Sequence, residues 1–284
     1  MGLHDMTDRL EKIGALDRVA APLAAAAKKA IGPGRRKDLL SGVGLGHPLH
    51  PVLTDVPIGA FTGATLLDLA GRGAWEPAVQ TLLGAGLLAA LPTAAAGLAD
   101  WSDTYGGEQR VGVVHAAGNV AALALFGASL AARRAGAQGL GRTLGFAGMG
   151  VLGGSAYLGG YLTFARGVGV NNAFNEAKPT EWTPVLDEAQ LTEGKPVRAE
   201  AGGTAILLFR TGGRIFAIGN RCTHAGGPLD EGEVDPDALC VTCPWHGSVF
   251  RLEDGEVVHG PASVPEAAYD VRSESGRIEV RARH

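Results

Sequence analysis

Four long apolar segments restrict the possible folds of this chain more than any other feature of its sequence. They cover residues 52–70, 78–98, 111–132 and 144–165. Each approaches the ~20 residues that an α-helix needs to cross the hydrocarbon core of a bilayer. The last three contain no Asp, Glu, Lys or Arg, whereas the first carries Asp55 and Asp68. We therefore predict a bundle of four transmembrane helices in contact with membrane lipid; a buried soluble bundle is the alternative.

The distribution of basic residues predicts the orientation of this bundle. Four spans would place both chain ends on one side of the membrane, together with the loop at residues 99–110. That side is the richer in lysine and arginine close to the spans, and includes Lys28, Lys29, Arg110 and Arg166. Because basic residues favour the cytoplasmic side, we expect both termini in the cytoplasm. The net charge of only -4 argues against a nucleic-acid binder.

A change of pattern after the fourth segment marks a second domain. Residues 205–210 and 214–218 are short apolar runs joined through Gly212-Gly213, which is typical of a β-hairpin. Further strand candidates lie at 239–242, 249–252, 256–258 and 277–280. We expect an amphipathic N-terminal segment (1–46), a four-helix membrane domain (47–166), a polar linker (167–181) and a small all-β domain (182–284). Neither half shows a convincing internal repeat.

The three cysteines, Cys222, Cys240 and Cys243, lie in one short stretch, which does not resemble a disulfide framework. Two of them belong to a double motif: Cys222-Thr-His224 is followed, eighteen residues later, by Cys243-Pro-Trp-His246. Thiolates and imidazoles bind both zinc and iron–sulfur clusters, so residue type alone leaves the two open. Cys240 is interpreted as a buried strand residue.

The loops around the double motif resemble the two cluster-binding loops of Rieske proteins, including the turn-forming Gly226. The resemblance covers residues 182–283. It implies a [2Fe-2S] cluster in which Cys222 and Cys243 bind one iron and His224 and His246 bind the other, at a potential above that of all-cysteine ferredoxins. The chain would then carry single electrons.

Departures from the Rieske pattern refine this expectation. Gly227 and Trp245 stand where respiratory members have a loop-joining disulfide, so the chain resembles the ferredoxin-type branch and a reducing compartment is expected. Ser248 stands where high-potential members have a serine that donates to the cluster, but Phe250 replaces their tyrosine, which predicts an intermediate potential. Pro261 resembles the proline of a cluster-shielding loop; an ordinary surface turn is the alternative.

A second group of candidate site residues belongs to the membrane domain: His47, His50, His115 and Asp55. Residues 46–165, with Asp100, Trp101 and Asn119, resemble a family of predicted four-helix membrane domains of largely unassigned function. Ionisable residues at membrane depth are costly and are functional candidates by default. Two imidazoles can ligate a haem iron axially, and a histidine with a carboxylate can bind a quinone. A structural hydrogen bond is the third reading.

These features favour a membrane-anchored Rieske electron carrier that exchanges electrons with a haem or a quinone at the membrane face. The alternative is a membrane-tethered ferredoxin for a soluble oxygenase or reductase. From Trp182 onward the chain has 16 Asp and Glu against 10 Lys and Arg, which suits a basic redox partner protein. A redox or iron sensor is a third possibility. The sequence shows no catalytic site for a small substrate, so whether the chain is an enzyme stays open.

Overall fold

The chain folds into two compact units in a computed structural model that describes residues 3–71 and 73–283. The first unit comprises the residues up to Ile31 together with Leu49–Val168, and the second comprises Gly32–Pro48 together with the chain from Gly169 onward. The fold class is as expected, since the first unit is helical and the second contains all the strands of the described residues. The predicted segment 1–46 is divided between the two units.

Seven α-helices lie in the described residues. They are α1 (Leu3–Lys12), α2 (Asp17–Ile31), α3 (Arg35–Ser41), α4 (Leu49–Ala70), α5 (Glu76–Trp101), α6 (Gly106–Arg134) and α7 (Gln138–Gly160). A π-helical turn, Tyr161–Ala165, continues α7. All except α3 belong to the first unit, in which α4 packs mainly on α5 and α6 mainly on α7.

Three of the described helices, α4, α5 and α6, are long and apolar enough to cross a membrane by length and composition. The prediction of four spans is therefore one higher than the number of helices that satisfy these criteria. The fourth segment does form the expected helix, α7, with 23 residues. Nine of these residues are glycine, which adds little hydrophobicity, and Arg142 is included. The same glycines allow close helix packing.

Aromatic stacking joins the two helical hairpins of the first unit. The rings of Phe61 on α4 and Phe126 on α6 lie with centroids 3.9 Å apart and planes 7° from parallel. Glycine makes room for them: a Cβ at Gly86 would lie 2.6 Å from Phe61, and one at Gly148 would lie 3.1 Å from Phe126. Close-packed interiors tolerate no extra methyl group at such points.

A buried ion cluster connects the ends of α4, α5 and α6. The Arg133 side chain is completely buried; its Nη1 donates to Glu76 Oε2 at 2.8 Å and its Nη2 to Asp68. Asp68 is one of the two carboxylates in the first predicted span. Pairing with arginine explains how the helix accommodates it, because a buried charge needs a hydrogen-bonded partner.

The second unit contains three antiparallel sheets. The first consists of β1 (Thr183–Asp187), β10 (Arg277–Ala282) and β9 (Tyr269–Glu274), in that order. The second consists of β2 (Val197–Ala201), β3 (Thr204–Thr211) and β4 (Arg214–Gly219). The third consists of β5 (Glu233–Asp235), β6 (Cys240–Thr242), β7 (Val249–Arg251) and β8 (Val257–His259).

The predicted hairpin is present as β3 and β4. Gly212 and Gly213 connect the strands with φ angles of 57° and 74°, the positive values that a two-residue turn of this kind requires. The other strand candidates correspond to β6, β7, β8 and β10. Cys240 is the first residue of β6, but it is half-buried rather than buried.

Candidate metal centre

The first candidate loop leaves β4 and is closed by its own backbone. Cys222 N–H donates to Gly227 O at 2.8 Å, and Gly226 N–H donates to Cys222 O at 2.7 Å. Gly226 has a φ of 80°, in the left-handed region where a side chain would cause strain. The turn therefore requires glycine at this position, as the sequence pattern indicated.

The second candidate loop joins β6 to β7 with the same hydrogen-bond pattern. Cys243 N–H donates to Ser248 O at 2.8 Å, and Gly247 N–H donates to Cys243 O at 3.1 Å. Gly247 has a φ of 77°. The two cysteines therefore occupy equivalent positions in two similar turns. In each turn the histidine follows the cysteine in sequence, by two residues in the first and by three in the second.

The two loops bring the four candidate ligands together as two pairs. The sulfur atoms of Cys222 and Cys243 share a hydrogen bond, and both residues are almost completely buried. This bond raises the pKa of Cys222 and lowers the pKa of Cys243 to about 7. The rings of His224 and His246 meet edge to face with centroids 4.9 Å apart.

Backbone amides point at both sulfur atoms. His224 N–H donates to Cys222, and the N–H groups of Trp245 and His246 donate to Cys243. Such bonds favour the thiolate form, which is the form that binds metal. These amide-to-sulfur hydrogen bonds form because each turn folds back over its own cysteine.

The side chains present fit a two-iron cluster. Thiol stands beside thiol and imidazole beside imidazole. A structural zinc ion needs four ligands around a single centre. A Rieske cluster needs two sulfur ligands at one iron and two imidazoles at the other, which is the arrangement that the loops prepare.

Ser248 connects the second loop to the segment that contains Pro261. The Ser248 hydroxyl is fully buried and accepts a hydrogen bond from Ala262 N–H at 2.9 Å. Within the part of the chain that the structure describes, its own proton has no acceptor, so it remains available for a group between the loops. Pro261 is buried, which argues against an ordinary surface turn.

Gly227 and Trp245, which stand where respiratory Rieske proteins have a loop-joining disulfide, contact each other directly. A Cβ at Gly227 would lie 3.0 Å from Trp245 Cγ and 2.9 Å from Cys243 Sγ. The indole is about half exposed, and its ring centroid lies 6.4 Å from that of His246. All three cysteines are free. A ring packed over a glycine thus stands in place of the disulfide.

Sequence reasoning missed two groups that hold the first loop. Glu266 is buried, and its Oε1 accepts from Thr223 N–H at 2.7 Å; burial raises its pKa to about 8. Asn172 donates through Nδ2 to His224 O at 2.8 Å and through its backbone N–H to Thr223 O at 2.9 Å. The only local signal for Glu266 is an isolated acid in the apolar run at residues 261–268.

The membrane-domain candidates separate into two groups. His50 on α4 and His115 on α6 are both partly buried, and the Nδ1 of each lies within hydrogen-bond distance of a carbonyl oxygen on the next helix along the chain. His47 belongs to the second unit and is exposed, and its Nδ1 lies 3.1 Å from the neighbouring Pro48 O. Asp55 is exposed and lies five positions after His50, about 140° around the helix. The structure therefore groups His50 with His115 and leaves His47 and Asp55 apart.

Both parts of the chain match known protein families. Residues 181–273 match the family of the Rieske [2Fe-2S] domain, and residues 46–172 match a family of predicted membrane proteins, DUF2231. The antiparallel sheets and the two cysteine–histidine loops define an iron–sulfur protein of the electron-transfer class. The chain belongs to the Rieske [2Fe-2S] family, and its N-terminal part is a DUF2231 domain with apolar helices.

Its relatives include ferredoxin subunits of dioxygenases. The anthranilate 1,2-dioxygenase ferredoxin subunit of Burkholderia cepacia is 33% identical over 105 residues, which are 37% of this chain and 95% of that subunit. The 3-phenylpropionate/cinnamic acid dioxygenase ferredoxin subunit of Escherichia coli K12 is 37% identical over 90 residues, 32% of this chain and 83% of that subunit. Among solved structures, the ferredoxin of carbazole 1,9a-dioxygenase from Nocardioides aromaticivorans is 30% identical and covers 36% of this chain, with a TM-score of 0.34.

Proposed function

We propose that this protein is a membrane-anchored one-electron carrier whose [2Fe-2S] cluster exchanges electrons with a haem or a quinone at the membrane face. The observation that carries the proposal is the pairing of thiol with thiol and imidazole with imidazole on two equivalent turns. In this proposal Cys222 and Cys243 hold one iron, and His224 and His246 hold the other. The Rieske domain and both termini face the cytoplasm.

The bound cluster would supply a reversible one-electron couple. The chain's own residues prepare that couple. Amides of the turns direct their hydrogen bonds at the cysteine sulfurs, and Ser248 presents a hydroxyl proton in a site without water contact. Donors of this kind stabilise the reduced state because it carries more negative charge. Gly226 fixes the turn, while Trp245 and Pro261 limit solvent access.

The second unit includes the segments that border the helical unit in sequence. Asn172, which binds the first loop, follows Val168, the last residue of the helical unit, by four positions. On the other side, α3 and the residues after it pack against Gly260 and lead directly into α4.

The first test uses the full-length protein in mild detergent. Visible spectra of the oxidised and dithionite-reduced forms and low-temperature electron paramagnetic resonance should show a Rieske signal. His246→Cys should replace it with the signal of a cluster held by three cysteines and one histidine, or remove it, whereas Cys240→Ser should leave it unchanged. A metal-loaded protein without a Rieske signal contradicts the proposal.

A membrane-tethered ferredoxin that serves a soluble oxygenase or reductase is the second candidate, because the relatives named above are dioxygenase ferredoxin subunits. The two candidates predict different effects of the membrane histidines. If the cluster exchanges electrons with a haem or quinone, His50→Ala or His115→Ala should change the haem spectrum or slow cluster reduction by a quinol. If the helices are an anchor alone, both variants should behave like the unsubstituted protein.

A further inference from the structure

His50 and His115 are held by the same local design, although the sequence showed no convincing internal repeat. His50 Nδ1 on α4 lies 2.9 Å from Thr93 O on α5, and His115 Nδ1 on α6 lies 2.7 Å from Ser155 O on α7. The hydroxyl of each partner returns to the histidine's helix: Thr93 Oγ1 donates to Leu53 O at 3.0 Å, and Ser155 Oγ donates to His115 O at 2.8 Å.

Each imidazole also fits against a glycine four positions beyond its partner. A Cβ at Gly97 would lie 2.7 Å from His50 Cε1, and one at Gly159 would lie 2.9 Å from His115 Cε1. Contacts of this length do not occur in folded proteins, so each ring occupies space that only glycine leaves open. The two hairpins, α4 with α5 and α6 with α7, therefore carry matched histidine sites.

The hydrogen bonds determine which ring nitrogen is basic. A carbonyl oxygen only accepts, so Nδ1 of each histidine carries the proton and Nε2 carries a lone pair. His115 Nε2 is already engaged, because Asn119 Nδ2 donates to it at 3.1 Å. The equivalent position on α4 is Thr54, whose hydroxyl donates instead to Pro51 O at 2.6 Å. Within the described residues, His50 Nε2 therefore makes no hydrogen bond.

We infer that His50 Nε2 accepts a hydrogen bond from the hydroxyl of a lipid-soluble hydroquinone. This inference rests on the proposed function and decides between its two ligands. A haem iron with two axial imidazoles needs two open nitrogens, and one of the pair is engaged by Asn119. A hydroquinone needs one acceptor. Because the acceptor has no proton to give, the site prefers the hydroquinone to the oxidised quinone, whose oxygens only accept.

The surroundings suit a ligand that arrives through lipid. Helices α4 and α5, which carry the site, expose large apolar side chains along their length, including Val52, Val56 and Leu98.

The test measures hydroquinone binding to the full-length protein in phospholipid nanodiscs. Decylubiquinol is the probe, and dithionite keeps both cluster and probe reduced, so that binding is measured without turnover. Equilibrium dialysis gives the dissociation constant. We expect His50→Ala and Gly97→Ala to weaken binding roughly tenfold, which corresponds to the loss of one hydrogen bond. Gly159→Ala, the same change in the matched site, should leave the affinity unchanged.

A reciprocal exchange tests the open nitrogen without removing the imidazole. Thr54→Asn places on α4 the residue that engages His115 on α6, and it should weaken decylubiquinol binding, whereas Asn119→Thr should not. Equal affinity in all variants, or equal loss in Gly97→Ala and Gly159→Ala, overturns the inference. A haem spectrum lost in both His50→Ala and His115→Ala overturns it in favour of haem. The Rieske resonance signal, recorded on each variant, reports separately on the proposed function.

Discussion

Asp38 binds the peptide that precedes Pro261: its Oδ1 accepts a hydrogen bond from Gly260 N–H at 2.8 Å, and its Oδ2 lies 3.0 Å from His259 Nδ1. Asp38 and Gly260 are 222 positions apart. Ser41 and Val43 complete the contact, since a Cβ at Gly260 would lie 3.2 Å from Val43 and 3.4 Å from Ser41. The segment just before α4 is thus part of the Rieske unit, outside the residues that match the Rieske family.

Asp38→Ala should loosen the loop that contains Pro261 and expose the cluster. Two hydrogen bonds to a carboxylate are lost, so cluster loss should accelerate roughly tenfold. The measurement is the rate of bleaching of the visible circular dichroism in the presence of an iron chelator. Asp254→Ala is the control. Asp254 Oδ1 also accepts two hydrogen bonds, from Arg251 Nε and from the Glu256 backbone N–H, but it lies on an exposed turn. Equal bleaching rates would show that Asp38 does not hold the loop.

Ser248→Ala should lower the reduction potential of the cluster. The hydroxyl proton stabilises the additional negative charge of the reduced state, and the loss of one such hydrogen bond corresponds to ~60 mV for a one-electron couple. The potential is measured by redox titration followed by circular dichroism. Ser263→Ala is the matched control, because Ser263 is also buried and lies in the same loop as Pro261. An unchanged potential in Ser248→Ala would remove Ser248 from the tuning residues.

Glu266→Gln should reduce the loss of stability that accompanies a rise in pH from 4.5 to about 8. Burial raises the pKa of Glu266 from 4.5 to about 8, so between these values the folded protein holds a proton that the unfolded chain has released. The contribution of the protonated Glu266 carboxyl to the free energy of unfolding is therefore fully present below pH 4.5. It falls as the pH rises towards 8, by at most about 1.4 kcal/mol per pH unit. Glutamine removes this dependence because it cannot ionise.

The measurement for Glu266 is guanidinium unfolding of the loaded protein, followed by the circular dichroism of the cluster at pH 6 and at pH 8.5. The difference between the two midpoints should be smaller in Glu266→Gln than in the unsubstituted protein. Glu256→Gln, at an exposed position of the same unit, should preserve the original difference. A pH dependence that survives in Glu266→Gln must come from other groups.

Arg133→Met should severely destabilise the helical unit. The change removes the buried arginine that pairs with Asp68 and Glu76 and leaves them only Arg142, at 3.7 Å from Asp68, and Gln80, at 3.2 Å from Glu76. Breaking a buried pair in this way costs on the order of 3–5 kcal/mol. Arg134→Met alters the adjacent, exposed residue and should have little effect. Thermal unfolding in detergent, followed by the helical circular dichroism signal, distinguishes the two variants. Similar melting temperatures would mean that the ion cluster is dispensable.

Local features of the sequence were sufficient to predict the architecture and the candidate ligands. A 20-residue apolar run, a Gly-Gly turn between apolar strands and the spacing of Cys222, His224, Cys243 and His246 are all properties of short stretches. Each predicts its structure because the physical cause acts within a few residues: burial of a helix, a positive φ, or the closure of a turn. The exception is α7, where glycine content lowered the hydropathy without preventing the helix.

Only the tertiary structure decided which of these residues have partners and which remain open. It pairs Asp38 with Gly260, Arg133 with Asp68 and Glu266 with Thr223, and it leaves His50 Nε2 without the bond that His115 receives. The sequence could not show this, because each contact joins elements that are distant in the chain, and no local period records a distant partner. The sequence determines which residue types are present, whereas the packing of the helices determines that the lone pair of His50 Nε2 is not engaged by a neighbouring side chain among the described residues.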